Sequence, residues 1–395
     1  MAALFPWLME PDWTSGVTET LEWKTDVLAS PTGAEQRIAR RLSPRRTFEF
    51  SILAADLDRQ WLENALFQAG SGIWAMPIFP DAAPLLSAVP ATAHRLPVLT
   101  AGRDFAPGAQ VLLKSALAMN APSLLVTVRD VEPDALALTQ QLTTNWPLGT
   151  LVYPVRPAVL TDPPVLTRLN DSLSSAQVRF RVAEHNPHPD GITLALYRGF
   201  PVLEPAADRV DTLTASYLRL ISELDNGTGI PARLDAARRP FALQKHNWFL
   251  SGRQEQQRLR QLLYFLRGRQ RPLWVPSQGS DIRVAGGIEG NSLQVIRSGL
   301  SEMGILPGRC DLRIQLADGA ILYRRLTHVA ISSEQVERLA LDGLPVVVPQ
   351  SFISSVSFMA LCRQNNDAVS WSHVTDADGV ASVSTSFTGV RDELE

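Results

Sequence analysis

Ser43-Pro44-Arg45-Arg46-Thr47-Phe48-Glu49-Phe50 opens the stretch whose reading decides the fold. From Arg46 to Ile52 it alternates, with Phe48, Phe50 and Ile52 on one side and polar residues on the other. That is the two-residue period of a half-buried strand. The period then changes. Leu57, Trp61, Leu62, Ala65, Leu66 and Ala69 share one face of a 3.6-residue helix, so a helix is expected near 56–69. Asp56 or Asp58 stands where an N-cap is wanted, and Gly70 where a left-handed C-cap is wanted. Trp74-Ala75-Met76-Pro77 follows.

The same signals return in the same order. Ala237-Arg238-Arg239-Pro240-Phe241-Ala242-Leu243 precedes a stretch with Leu259, Leu262, Leu263 and Leu266 on one face, so a second helix is expected near 254–267. Gly268 ends it, and Trp274-Val275-Pro276 follows at the place of Trp74 to Pro77. Leu151-Val152-Tyr153 and Val178-Arg179-Phe180 have weaker counterparts in Ile321-Leu322-Tyr323 and Val356-Ser357-Phe358. Four ordered signals point to an internal duplication. Residues 1–188 form one half and 189–395 the other, with Pro189-Asp190-Gly191 as the boundary turn. The Pro-rich stretch 77–97 reads as a loop or arm of the first half.

Around the helices lie further strand signals. Leu124-Leu125-Val126-Thr127-Val128 is an apolar run of strand length, and Val178 to Val182 and Leu312 to Leu316 alternate. The expected fold is mainly β (α+β): two tandem, duplicated β-sandwich or barrel units, each with one packed helix.

Composition narrows the function. The chain has 395 residues, 45% apolar and 19% charged, with a formal net charge of −3. It lacks the basic excess from which nucleic-acid binders draw most of their affinity, so specific nucleic-acid binding is not expected. The two cysteines, Cys310 and Cys362, fit buried thiols in a reducing cytoplasm. The opening Met1-Ala2-Ala3-Leu4-Phe5 reads as neither signal peptide nor membrane span, and a soluble chain is expected.

No catalytic or metal constellation emerges, so the expectation is no enzyme, no cofactor and no metal. His185-Asn186-Pro187-His188 has a suggestive spacing, but Pro187 breaks any helix that would align the imidazoles. His246 and His328 fall in expected strands. Gly286-Gly287-Ile288-Glu289-Gly290 lacks the Lys-Ser/Thr ending of a phosphate loop and reads as a turn. The run Arg253, Arg258, Arg260, Arg267, Arg269 and Arg271 reads first as the solvated face of the second helix. A subunit contact and a DNA contact are its other readings. Trp74 and Trp274 read as core or interface residues before sugar-stacking ones.

Two segments carry a family resemblance. Trp13…Val17-Thr-Glu-Thr-Leu-Glu-Trp23-Lys-Thr-Asp26…Gly33-Ala-Glu35-Gln-Arg37…Pro44-Arg45-Arg46-Thr-Phe48-Glu49 resembles the opening of tail-tip proteins of long-tailed phages. Ser355 to Arg363, with Thr385-Ser-Phe-Thr-Gly-Val390-Arg-Asp-Glu393, is similar to the same group. The resemblance covers the two ends of the chain. It implies a distal tail or baseplate protein, assembled in the bacterial host cytoplasm and placed at the virion tail tip. Such a protein forms a ring between tail tube and baseplate hub, around the channel for tape-measure protein and DNA. The implied partners are copies of itself, the tail tube protein, the hub protein and the tape-measure protein, with no membrane. A baseplate hub or fibre adaptor is the alternative within that machine. A carbohydrate-binding β-sandwich protein is the alternative outside it.

Beside the resemblance, an acidic set (Glu19, Glu22, Asp26, Glu35) is followed closely by a basic set (Arg37, Arg40, Arg41, Arg45, Arg46). On ring subunits such patches could sit on opposite edges and close a heterologous interface, with Glu22, Asp26, Glu35, Arg37, Arg45 and Arg46 as the candidate subunit-interface residues. Ordinary solvated faces or intrachain pairs are the competing reading. A homohexamer comes first as the assembly; a homotrimer whose duplicated halves give pseudo-six-fold symmetry comes second.

Overall fold

Arg45–Ala55 is a strand of 11 residues that buries Arg46, Phe48, Phe50, Ile52 and Ala54 on one face. Phe241–Ser251, also 11 residues, stands at the same point of the second half. In this computed structural model, residues 4–115, 122–186, 191–210, 212–374 and 379–391 are described. The fold is mainly β, with 48% strand and 10% helix.

In the first half we label β1 (Val17–Glu22), β2 (Thr25–Ala29), β3 (Glu35–Ala39), β4 (Arg45–Ala55), α1 (Asp56–Ala69), β5 (Trp74–Pro77) and β6 (Arg95–Pro97). It continues with β7 (Gln110–Lys114), β8 (Ser123–Glu132), β9 (Ala135–Leu138), β10 (Leu151–Leu160), β11 (Thr167–Arg168) and β12 (Leu173–Val182). The second half has β13 (Ala215–Leu218), β14 (Ile221–Leu224), β15 (Ala232–Asp235), β16 (Phe241–Ser251), α2 (Arg253–Leu266), β17 (Leu273–Pro276) and β18 (Ser292–Ile296). It ends with β19 (Asp311–Leu316), β20 (Ile321–Ile331), β21 (Val336–Leu341), β22 (Ile353–Gln364), β23 (Ala368–His373) and β24 (Val380–Gly389). Other strands, such as Phe5–Pro6 and Val284–Gly290, stay unlabelled.

The pairings of the two halves correspond, β13 standing for β1 and so on to β24 for β12. All are antiparallel. In the first half β1 pairs with β4, β4 with β12, β12 with β10, and β10 with both β5 and β7. β7 continues to β8, β9 and β6. In the second half β13 pairs with β16, β16 with β24, β24 with β22, and β22 with β17 and β19. β19 continues to β20, β21 and β18. Even the irregularity recurs. β8 bulges between Val128 and Asp130, and β20 bulges at the corresponding Leu326 and His328.

The ladders also correct the sequence alignment. Leu173 faces Ala55 and Val380 faces Ser251, so Arg45 answers to Phe241 and Arg46 to Ala242, not to Arg238 and Arg239. Ala158 faces Trp74 and Cys362 faces Leu273, so Trp274 is one residue out of phase with Trp74. A one-residue slip puts a side chain on the other face. Trp74 joins the main core of the first half, whereas Trp274 packs with Tyr197, Val202 and Met359. Ile321-Leu322-Tyr323 is the start of β20 and answers to Ser123-Leu124-Leu125, not to Leu151-Val152-Tyr153. Val356 answers to Val152, not to Val178.

Other local expectations differ too. α1 has Ala55 at its N-cap without a side-chain cap, and Asp56 and Asp58 lie inside its first turn. Gly70 is right-handed, at φ −56°. The stretch 77–97 is no arm: Ile78 and Phe79 join the main core, and Leu85, Val89 and Leu96 fill the core under β6 to β10. The projecting arms are the hairpins β2–β3 and β14–β15. Of the expected boundary turn, Pro189 and Asp190 lie outside the described residues, as does His188.

Candidate functional site: the joint between the halves

β1 buries Val17, Glu19 and Leu21 and turns Thr18 and Glu22 outward. Its two edges belong to different halves, since β4 pairs along one and β23 along the other. The sheet therefore runs without a break from β12 through β4, β1, β23, β24 and β16 to β13. Val17 lies in the first core, whereas Leu21 and Trp23 lie in the second, against Leu259, Leu262, Leu263 and Tyr264 of α2.

Glu19 stands between the cores, 1% exposed. Its carboxylate accepts hydrogen bonds from Arg46 Nε at 2.6 Å, from both terminal nitrogens of Arg260 at 2.7 and 2.9 Å, and from His373 Nε2 at 3.0 Å. Arg46 also donates to Asp104, which Arg156 approaches at 2.5 Å. Asp81 takes the Asp104 N–H at 3.1 Å and Arg253 of α2. Burial alone would raise the Glu19 carboxyl. Arg260 and Arg46 outweigh it, helped by hydrogen bonds from Arg260 and His373, and hold Glu19 well below the usual carboxylate range. Asp104 is lowered in the same way, by Arg46 and Arg156 against its burial. Burial likewise pushes the Tyr264 hydroxyl up to about 12, so it stays protonated and donates to Asn186 O at 3.0 Å. A polar cavity of about 80 Å³ lies among Arg46, Asp81, Asp104, Gln256, Arg260 and Tyr264. Its size and lining suit ordered water rather than a substrate.

Two further contacts close the joint. Asp367, before β23, accepts the Thr25 N–H at 2.7 Å and the Arg269 N–H at 2.9 Å, while its carbonyl accepts the Trp23 N–H at 3.0 Å. Gly268 makes room for this. Its φ is +65°, and a Cβ there would lie 2.4 Å from Asp367 Oδ1 and 3.1 Å from Trp23 Cβ. The arm β2–β3 then reaches over the second half. Gly33 seats on the Phe241 ring, Glu35 pairs with Arg363 through two 2.7 Å bonds, and Arg391 donates to Thr32 O at 3.1 Å.

The six candidate interface residues part company here. Arg46 is 3% exposed and committed inside the chain, which removes it from a subunit surface. Glu35 is likewise engaged by Arg363 across the internal joint. Arg37 lies beside them; burial and the Arg363 charge lower its pKa against the pull of Glu35. Asp26 pairs with Arg40 at 2.6 Å and Glu22 with Arg41 at 3.5 Å, both near the surface. Arg45 is exposed. The arginine run is not simply a solvated face, because Arg253, Arg260 and Arg269 bind Asp81, Glu19 and Thr25 O of the first half. In the sequence Glu19 stands out only as a member of the acidic set, not as a buried centre, and Asp104 does not stand out at all. An acidic residue at an inward position of an alternating strand was the available signal for Glu19.

A larger cleft, about 760 Å³, lies on the second half among Ile192, Leu194, Trp248, Phe249, Glu204 and Glu255. Asp208 lines it as well, and all three carboxylates have structural partners, Asp208 accepting the Val210 N–H at 3.1 Å. Glu204 pairs with Arg313 at 3.3 Å, and Glu255 accepts the Ser251 N–H at 2.8 Å at the start of α2. His246 is buried with neither ring nitrogen hydrogen-bonded among the described residues, and burial lowers its pKa to about 4. No helix among the described residues is long and apolar enough to cross a membrane. No family model matches the chain, and no curated protein matches it.

Proposed function

We propose that the chain is a structural subunit of a phage tail-tip ring, with its two halves in adjacent positions around the lumen. The observation that carries this is the joint itself: two β units of one topology, set edge to edge in one sheet and locked by buried charge. Units joined head to tail through unlike edges make heterologous contacts, which close into rings when the rotation allows. A hexamer with one half in the ring and the other pointing outward gives the halves different roles. Side-by-side docking supports the other arrangement, three chains presenting six like positions, which suits a junction between a six-fold tube and a three-fold hub. Tube, hub and tape-measure proteins would be its neighbours, as the resemblance implies.

Negative-stain class averages and light scattering of the purified protein test this. A closed ring with the mass of three chains is expected. A monodisperse monomer, or an open filament, would defeat the reading. The cleft at Trp248 and Phe249 favours carbohydrate binding as the second reading, which a glycan array would detect.

A further inference from the structure

The internal joint has a counterpart at each end of the shared sheet. Glu22 faces Arg45 and Leu218 faces Phe241, so Leu213, Ala215, Tyr217 and Leu218 answer to Val17, Glu19, Leu21 and Glu22. β1 is paired along both edges, but β13 pairs only with β16 among the described residues, and all four of its residues are exposed. The arms differ in the same way. β2–β3 clasps the second half, whereas β14–β15 leaves Ile221, Leu224 and Leu234 in solvent.

The receiving side shows the complementary vacancy. In the second half Tyr264 is 5% exposed, covered by Trp23 with ring centroids 5.5 Å apart. Counting along the two helices, Phe67 of α1 answers to Tyr264, and Phe67 is 96% exposed. Glu63 answers to Arg260, and Arg168 to His373. These two pair with each other at 3.5 Å, and the strand residue matching Glu19 is the neutral Ala215. The charges that the internal joint balances between halves are thus balanced within the first half at the outer edge. A neutral strand fits there.

We infer that β13 of one copy docks on the first half of a second copy as β1 docks on the second half within the chain. In that joint Leu213–Ser216 pairs antiparallel with Val165–Arg168 of the neighbour. Pro163 and Pro164, which lack N–H groups, end the ladder there. Tyr217 and Arg219, which in their own chain meet Arg309 and Asp235, turn their remaining faces to the neighbour's Glu63 and Phe67, the guanidinium meeting the Phe67 ring at the place where Trp23 meets Tyr264 edge-on. An unpaired strand edge is a ready template for such pairing. This rests on the ring reading above and specifies its contact.

The test uses the full chain with single substitutions Phe67→Cys and Arg219→Cys; the native Cys310 and Cys362 are both buried. A short bis-maleimide should link an equimolar mixture of the two variants into a covalent dimer, and neither variant alone. The double variant should give a ladder ending at the mass of the ring. Separately, Phe67→Glu should weaken association by roughly thirty-fold or more with an unchanged circular dichroism spectrum, since an anchor is lost from a solvent-facing site. A ring that forms without the mixed cross-link, or that ignores Phe67→Glu, overturns this joint while leaving the ring reading intact. A chain that stays monomeric overturns both.

Discussion

β1 and β13 hold the same place in two halves of one topology, yet one lies between two cores and the other has one edge open among the described residues. The difference comes from neighbours, because both strands alternate similarly. Val17, Glu19 and Leu21 are matched by Leu213, Ala215 and Tyr217, with the acid replaced by a small neutral residue. A carboxylate is tolerated at Glu19 because Arg46, Arg260 and His373 meet it. Ala215 needs no such company. The chain thus holds one joint closed within itself and one strand edge left open among the described residues.

The sharpest way to break the contrast is at Glu19. Glu19→Ala leaves Arg260 without its carboxylate and Arg46 with Asp104 alone in a buried site, and should cost about 3–5 kcal/mol in urea unfolding. Leu21→Ala opens a cavity under α2 and should cost about 3 kcal/mol, read from the same denaturation midpoints. Gly268→Ala forces a side chain into left-handed backbone against Asp367 and Trp23, and should lower stability by about 1–3 kcal/mol.

Acid should act on the joint in a graded way. Glu19 and Asp104 have pKa values lowered by folding from ordinary values of 4.5 and 3.8. Their stabilisation is complete above those unfolded values and is lost as pH falls through the depressed folded ones. Thermal scans from neutral pH downward should show the midpoint falling below about pH 4.5, with a shallower fall in Glu19→Gln. At the other end of the comparison, Tyr217→Ala in the unassembled chain should change stability by no more than about 0.5 kcal/mol. A large loss there would mean that β13 is already covered within the chain.

Much of this architecture was legible in the residues. The alternation of Arg46 to Ile52, the helical faces of 56–69 and 254–267 and the recurrence of the whole unit gave a mainly β fold of two halves. Strand periodicity reports which side of a strand faces a core, and it does so wherever one side is buried. It does not report which core. For Arg46 and Glu35 the sequence leaves a subunit contact and an intrachain pair both open, because charge looks the same whether its partner is across an interface or across the chain, and the structure gives the intrachain pair.

What the sequence by itself determined is local: the strand and helix periods, the two-fold recurrence and the absence of a basic excess. What only the tertiary structure decided is register and company. It moved Trp274 one residue out of phase with Trp74, placed Leu21 and Trp23 in the core of the other half, and gathered Glu19, Arg46, Asp104, Arg260 and His373 from distant segments. The physical reason is the same in each case. Local pattern sets which side chains need burial, but the identity of the groups that meet them depends on ladder pairings between segments hundreds of residues apart, as between β1 and β23.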